Sequence, residues 1–124
     1  MANPSPGFRS NPTHKITVEP YPGKVTVRLG DAVIASSSEA LELREADYPP
    51  VLYIPFKDIR FDQLTKTETS TTCPFKGKAS YWSAEADGKA AKDAMWAYEA
   101  PYDEMIRIKD HGAFYLNKVV IRSE

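Results

Sequence analysis

The chain is predicted to be mainly β, a single domain of two small antiparallel sheets with one or two short helices. Three observations carry this. Val25, Val27 and Leu29 alternate with Thr26 and Arg28 at the period of a half-buried strand. Gly30-Asp31 and Asp87-Gly88 are hairpin-type turns, in which glycine supplies the positive φ that tight turns need. Ten prolines and seven tyrosines, with no long run of helical period, weight the composition toward strands and turns. At 124 residues the chain has room for one core and one domain.

Residues 1–13 are rich in Pro, Ser, Asn and Gly, with Phe8 alone able to anchor them, so they are expected as a mobile or surface-lying arm ahead of a β domain spanning 14–124. Ile16 and Val18 alternate with Thr17 and Glu19 in a short edge strand that Pro20 ends. After the turn at Tyr21-Pro22-Gly23 comes the Val25 strand, which returns through Gly30-Asp31 into a partner over residues 32–36. Leu41 and Leu43, alternating with Glu42 and Arg44, make the next strand, and residues 51–54 another, closed by Pro55. Phe56, Ile59, Phe61 and Leu64 suit a helical or 3₁₀ turn laid on a sheet, followed by a polar loop through Ser70.

Residues 79–85 are expected as a strand with Tyr81 and Trp82 on opposite faces. Residues 89–93 read as a polar connection, and Ala94, Trp96 and Tyr98 as one face of a further strand. Pro101 ahead of Asp103 and Glu104 resembles a helix start, giving a short helix near residues 102–106. Residues 113–116 and 119–121, joined by Asn117-Lys118, complete the pattern as a closing hairpin, for about seven to nine strands in all.

A formal net charge of −1 provides no global field for nucleic acid or an anionic membrane, and leaves Lys57, Arg60, Lys66, Lys76 and Lys78 as the nearest thing to a basic patch. Neither is expected as a partner. One cysteine and two histidines fall short of a four-ligand zinc set, and no cofactor or metal is expected. The lone cysteine and the lack of a signal-peptide pattern or membrane-length apolar run indicate a cytoplasmic protein.

One stretch concentrates chemistry: Thr72-Cys73-Pro74-Phe75-Lys76-Gly77, followed by Tyr81 and Trp82. Cys73 is either a nucleophile or redox thiol, favoured by a nearby cation such as Lys76, or a small buried apolar group. Lys76 offers a point charge to a carboxylate or phosphate, and Gly77 lets the backbone come close; equally, the pair makes a solvated turn. Tyr81, Trp82, Trp96 and Tyr98 line a ring-binding wall or fill the core, and alternation lets two or three of them share one pocket. His111 is a general-base candidate or a polar loop residue, and Glu99, Asp103 and Glu104 read as surface charges.

Tyr48-Pro49-Pro50-Val51, Tyr53-Ile54-Pro55, the run from Thr72 to Tyr81, Ala94-Met95-Trp96-Ala97-Tyr98 and Ala113-Phe114-Tyr115 together resemble the bacterial family catalogued as domain of unknown function 427, over about residues 24–122. The resemblance implies a β-tent architecture, two antiparallel sheets meeting at an angle, as in the ligand-binding domain of cereblon. The family's nucleotidyltransferase label finds no Gly-rich phosphate loop or Asp-x-Asp pair here. Three functional readings follow: a groove near Cys73 and Lys76 for a small ligand, anionic or cyclic; an enzyme with Cys73 as nucleophile or redox thiol, helped by Lys76 or His111; and a structural or interaction module pairing edge strands into a homodimer, with no small-molecule site.

Overall fold

The structure, a computed structural model, describes residues 2–124; Met1, the first residue of the expected arm, lies outside the described residues. Two antiparallel sheets form around the expected strands. The strands are β1 (Ile16–Pro20), β2 (Val25–Leu29), β3 (Ala32–Ser37), β4 (Leu41–Glu45), β5 (Val51–Pro55), β6 (Leu64–Cys73), β7 (Gly77–Ala86), β8 (Lys89–Ala97), β9 (His111–Phe114) and β10 (Val120–Ser123). The larger sheet has seven strands in the order β1-β4-β5-β9-β8-β7-β6, and the smaller has three in the order β10-β2-β3.

Alternation along each strand decides what lies between the layers. Val25, Val27 and Ile34 of the small sheet pack with Ile54, Trp82, Met95 and Phe114 of the large one, and this core holds the two sheets together. The opposite face of the large sheet buries Leu43, Tyr53, Tyr81 and Ala113 under Met105 and Ile108 of a 3₁₀ segment, Asp103–Ile108. Tyr81 and Trp82 fall into different cores, as alternation requires. Both predicted hairpin turns form, with Gly30 at φ 60° and the Asp87-Gly88 pair at 54° and 68°.

Four expectations are corrected. Residues 65–70 are not a loop but most of β6, an edge strand of ten residues that alternation could not reveal because solvent reaches nearly all of its side chains. Its three β-branched threonines before Ser70, Thr65, Thr67 and Thr69, and Thr71-Thr72 beyond it suit extended backbone without any apolar period. Residues 89–93 likewise belong to a strand, since the Asp87-Gly88 turn pairs Lys89 with Ala86 and Ala90 with Glu85. The closing hairpin does not form: β9 lies between β5 and β8 while β10 pairs with β2, so the Asn117-Lys118 turn carries the chain from one sheet to the other. The helix expected near Pro101 is 3₁₀ and ends later, at Ile108.

The arm contains a helical turn, α1 (Pro6–Ser10), that no periodicity announced. Ser5 caps it by accepting from Phe8 N–H, and Pro6 stands in the first helical turn. The arm lies on the Pro74 turn: Ser5 Oγ donates to Pro74 O at 2.8 Å, Gly7 N–H donates to the same carbonyl at 2.7 Å, and Phe8 meets Phe75 edge to face. Asp103 and Glu104 accept the backbone N–H groups of Asn3 and Ser5 rather than standing free as surface charges. Among the described residues no helix is long and apolar enough to cross a membrane.

Candidate functional site

The seven-stranded sheet is split. Between β5 and β9 only Ile54↔Gly112 and Pro55↔His111 are paired. The next partners in that register would be Tyr53 with Ala113 and Leu52 with Phe114, yet β5 continues along β4 and β9 along β8. Leu52 and Phe114 instead line a groove of ≈ 600 Å³ that occupies the gap.

Each wall comes from a different part of the chain. Tyr48-Pro49-Pro50 and Val51-Leu52 supply one side, Phe114-Tyr115-Leu116 another, and Trp96 of β8 and Ile121 of β10 contribute from a strand of each sheet. The prolines explain the first wall, since Pro49 and Pro50 in succession favour extended backbone at the end of the β4–β5 connection and have no N–H of their own to pair. At the rim, Tyr48 is 69% exposed and Leu116 77%, so apolar surface continues out of the groove to solvent.

The polar end is made by Glu45, Lys76 and Cys73. The Lys76 side chain is only 10% exposed and its Nζ donates to Glu45 Oε1 at 2.6 Å, with Cys73 Sγ at 3.8 Å. His14 Nε2 lies 2.9 Å from the other oxygen, Oε2, and its ring stacks on Phe75 at 4.0 Å. Gly77 makes this possible. Its φ of 126° turns the chain directly after Lys76 into β7, a conformation that L side chains seldom adopt. Burial works against the Glu45 carboxylate, yet the bonds from Lys76 and His14 prevail and hold its pKa below the ordinary value of 4.5.

Burial keeps the phenols of Tyr115 at the groove and of Tyr53 and Tyr98 in the second core neutral. Burial holds Tyr53 and Tyr98 well above the ordinary phenol range, and burial with the Tyr81 hydroxyl beside it pushes Tyr115 up to about 12. Tyr53 OH accepts from Trp96 Nε1 at 3.3 Å, while Tyr81 OH joins Thr71 Oγ1 at 2.8 Å and Tyr115 OH at 3.5 Å. These bonds set the rings of Trp96 and Tyr115, whose centroids are 4.4 Å apart.

Of the residues singled out from sequence, Cys73, Lys76 and Trp96 meet at the groove. Thr72 is exposed on β6, and Tyr98 is buried in the second core. Tyr81 stands behind Tyr115, parallel to it at 6.5 Å between centroids. Trp82 packs on the opposite face against Phe56 and Phe61, with Lys66 Nζ 5.5 Å from its ring. His111 sits at the paired end of β9 with its Nδ1 2.7 Å from Lys109 O. Glu45, His14, Leu52, Leu116 and Ile121 were missed. Tyr48-Pro49-Pro50 and Phe114-Tyr115 were visible only as parts of the family resemblance. Among the described residues no cluster of three or more His, Cys, Asp or Glu side chains is placed to hold a metal ion.

Fold and groove together define a small, mainly β protein in which a split antiparallel sheet frames an apolar hollow closed at one end by an ion pair. The chain belongs to the family described as Domain of unknown function (DUF427), whose sequence model matches residues 17–123. No curated protein matches it.

Proposed function

We propose that the protein binds a small, largely apolar molecule in the groove between β5 and β9. The observation that carries this reading is the groove itself: about 600 Å³ of mainly apolar wall, opened by a break in sheet pairing and ended by one charged pair. Pockets that take metabolite-sized molecules span roughly 300–1,000 Å³ and combine apolar walls with a few convergent polar groups. Core packing alone does not account for the large apolar side chains of Tyr48 and Leu116 left exposed at the rim.

Cys73 enters as part of the wall. The alternative in which its thiol attacks a bound electrophile uses the same groove, so occupancy is the prior question.

Two tryptophans on opposite faces of the sheet supply the test. In a Trp82→Phe variant, emission comes from Trp96 alone, at the groove wall. Titration with a compact aromatic hydrocarbon is expected to change that emission saturably. In the converse Trp96→Phe variant, which leaves Trp82 in the core between the sheets, emission should stay constant. Equal response from both tryptophans, or none from Trp96, contradicts the proposal.

A further inference from the structure

We propose that the ligand is an uncharged molecule whose polar end both donates and accepts hydrogen bonds, as a carboxamide does, and that neither a carboxylate nor an amine is the preferred head group. This rests on the groove reading and narrows it to a chemical class. The charges lining the groove are one lysine and one glutamate, and they are bonded to each other at 2.6 Å. Lys76, which the sequence alone offers to an anion, has its charge already matched. A carboxylate brought to this end gains the ammonium and meets Glu45 in the same step; an amine meets the reverse. Either would lose its hydration for a pair whose net charge is zero, in a wall that is otherwise apolar, and burying such a charge without a partner of its own is costly.

The free valences of the pair fit a neutral head. An ammonium carries three N–H donors, and Lys76 directs two contacts, to Glu45 Oε1 and to Cys73 Sγ, leaving one for a ligand carbonyl. Each carboxylate oxygen of Glu45 has two lone-pair sites, of which Lys76 takes one on Oε1 and His14 one on Oε2. A ligand N–H therefore has an acceptor beside the donor its carbonyl would use. Among the described residues no buried side-chain polar atom lacks a partner, so the site requires no counter-charge from outside. Pro49, Leu52, Trp96 and Leu116 would hold the apolar body.

A matched series with one apolar body separates the head from the groove: hydrocinnamide, hydrocinnamate, phenylpropylamine and propylbenzene, titrated against Trp96 emission at about pH 8, where free imidazole is neutral. The amide is expected to bind about tenfold or more tighter than either ion. In Glu45→Gln, Lys76 loses its counter-ion and the carboxylate should become the preferred member; in Lys76→Met the amine should. Hydrocinnamate binding as well as the amide to the native protein, or a ranking unchanged in Glu45→Gln, overturns the class. If propylbenzene binds and the heads rank equally, the class fails while the groove reading stands. If none of the four moves Trp96, or sedimentation shows a dimer that seals the groove, the groove reading fails and this inference with it.

Discussion

Lys76 is the residue on which the site turns. Its neighbour Gly77 is what lets an amine near the end of a tight turn fold back under the sheet, and Glu45 is what makes its burial tolerable. Replacing Lys76 by Met leaves the Glu45 carboxylate half-buried with His14 as its remaining partner, and should destabilise the protein by about 1–3 kcal/mol near neutral pH. The sign with pH follows from the carboxyl. Because the folded-state pKa of Glu45 lies below 4.5, its ion pair contributes stability above that value and loses it as pH falls through the lower, folded value. Urea unfolding should therefore show a wide gap between native and Lys76→Met proteins at about pH 7 and a narrowed one near pH 3. A gap of constant width would mean that the pair adds nothing to stability.

At the scale of elements, the arm and the Cys73–Gly77 turn act as one unit. Gly7 approaches Pro74 so closely that a Cβ would stand 2.7 Å from the Pro74 carbonyl oxygen and 2.7 Å from the Phe75 ring. Gly7→Ala should lift α1 off the turn, which would be seen as faster tryptic cleavage after Arg9 with the β sheets still cooperatively folded; unchanged cleavage would mean the arm is held by its other bonds alone. Strand placement was legible where large apolar side chains alternate, and not at residues 89–93 of β8, whose single buried side chain is Ala91. The β2–β3 hairpin announced itself through Val25, Val27, Leu29 and Gly30, and the Asp87-Gly88 turn through its own chemistry. Strand β6 was not legible, because a strand wetted on both faces has no apolar period. Its bulge at residues 67–69, where Thr67 and Thr69 hydroxyls donate to Asp93, has no sequence signal either.

For the whole molecule, the groove proposed to bind a ligand depends on the short pairing between β5 and β9, and that is a property of tertiary geometry. Cys73, Lys76 and Trp96 could be chosen from sequence because thiol, amine and indole are conspicuous residue types. Leu52, Leu116 and Ile121 could not, since in a sequence they look like any other core residue, and only the split between the strands leaves them around a hollow. Glu45 lies 31 positions from Lys76, so the ion pair that sets the polarity of the site spans a separation that no local spacing rule reaches. The N-terminal arm is tied to the turn that carries Lys76 through Ser5 and Gly7 on the Pro74 carbonyl, and the small sheet reaches the groove through Ile121, so each layer of the fold bears on one region. Methyl-resolved NMR during titration with propylbenzene tests this most directly. The account predicts that the methyl signals of Val51, Leu52, Leu116 and Ile121 shift together and saturate while those of Val25, Val27 and Ile34 in the buried core stay fixed. Shifts spread evenly over both sets, or none at the groove, would contradict it.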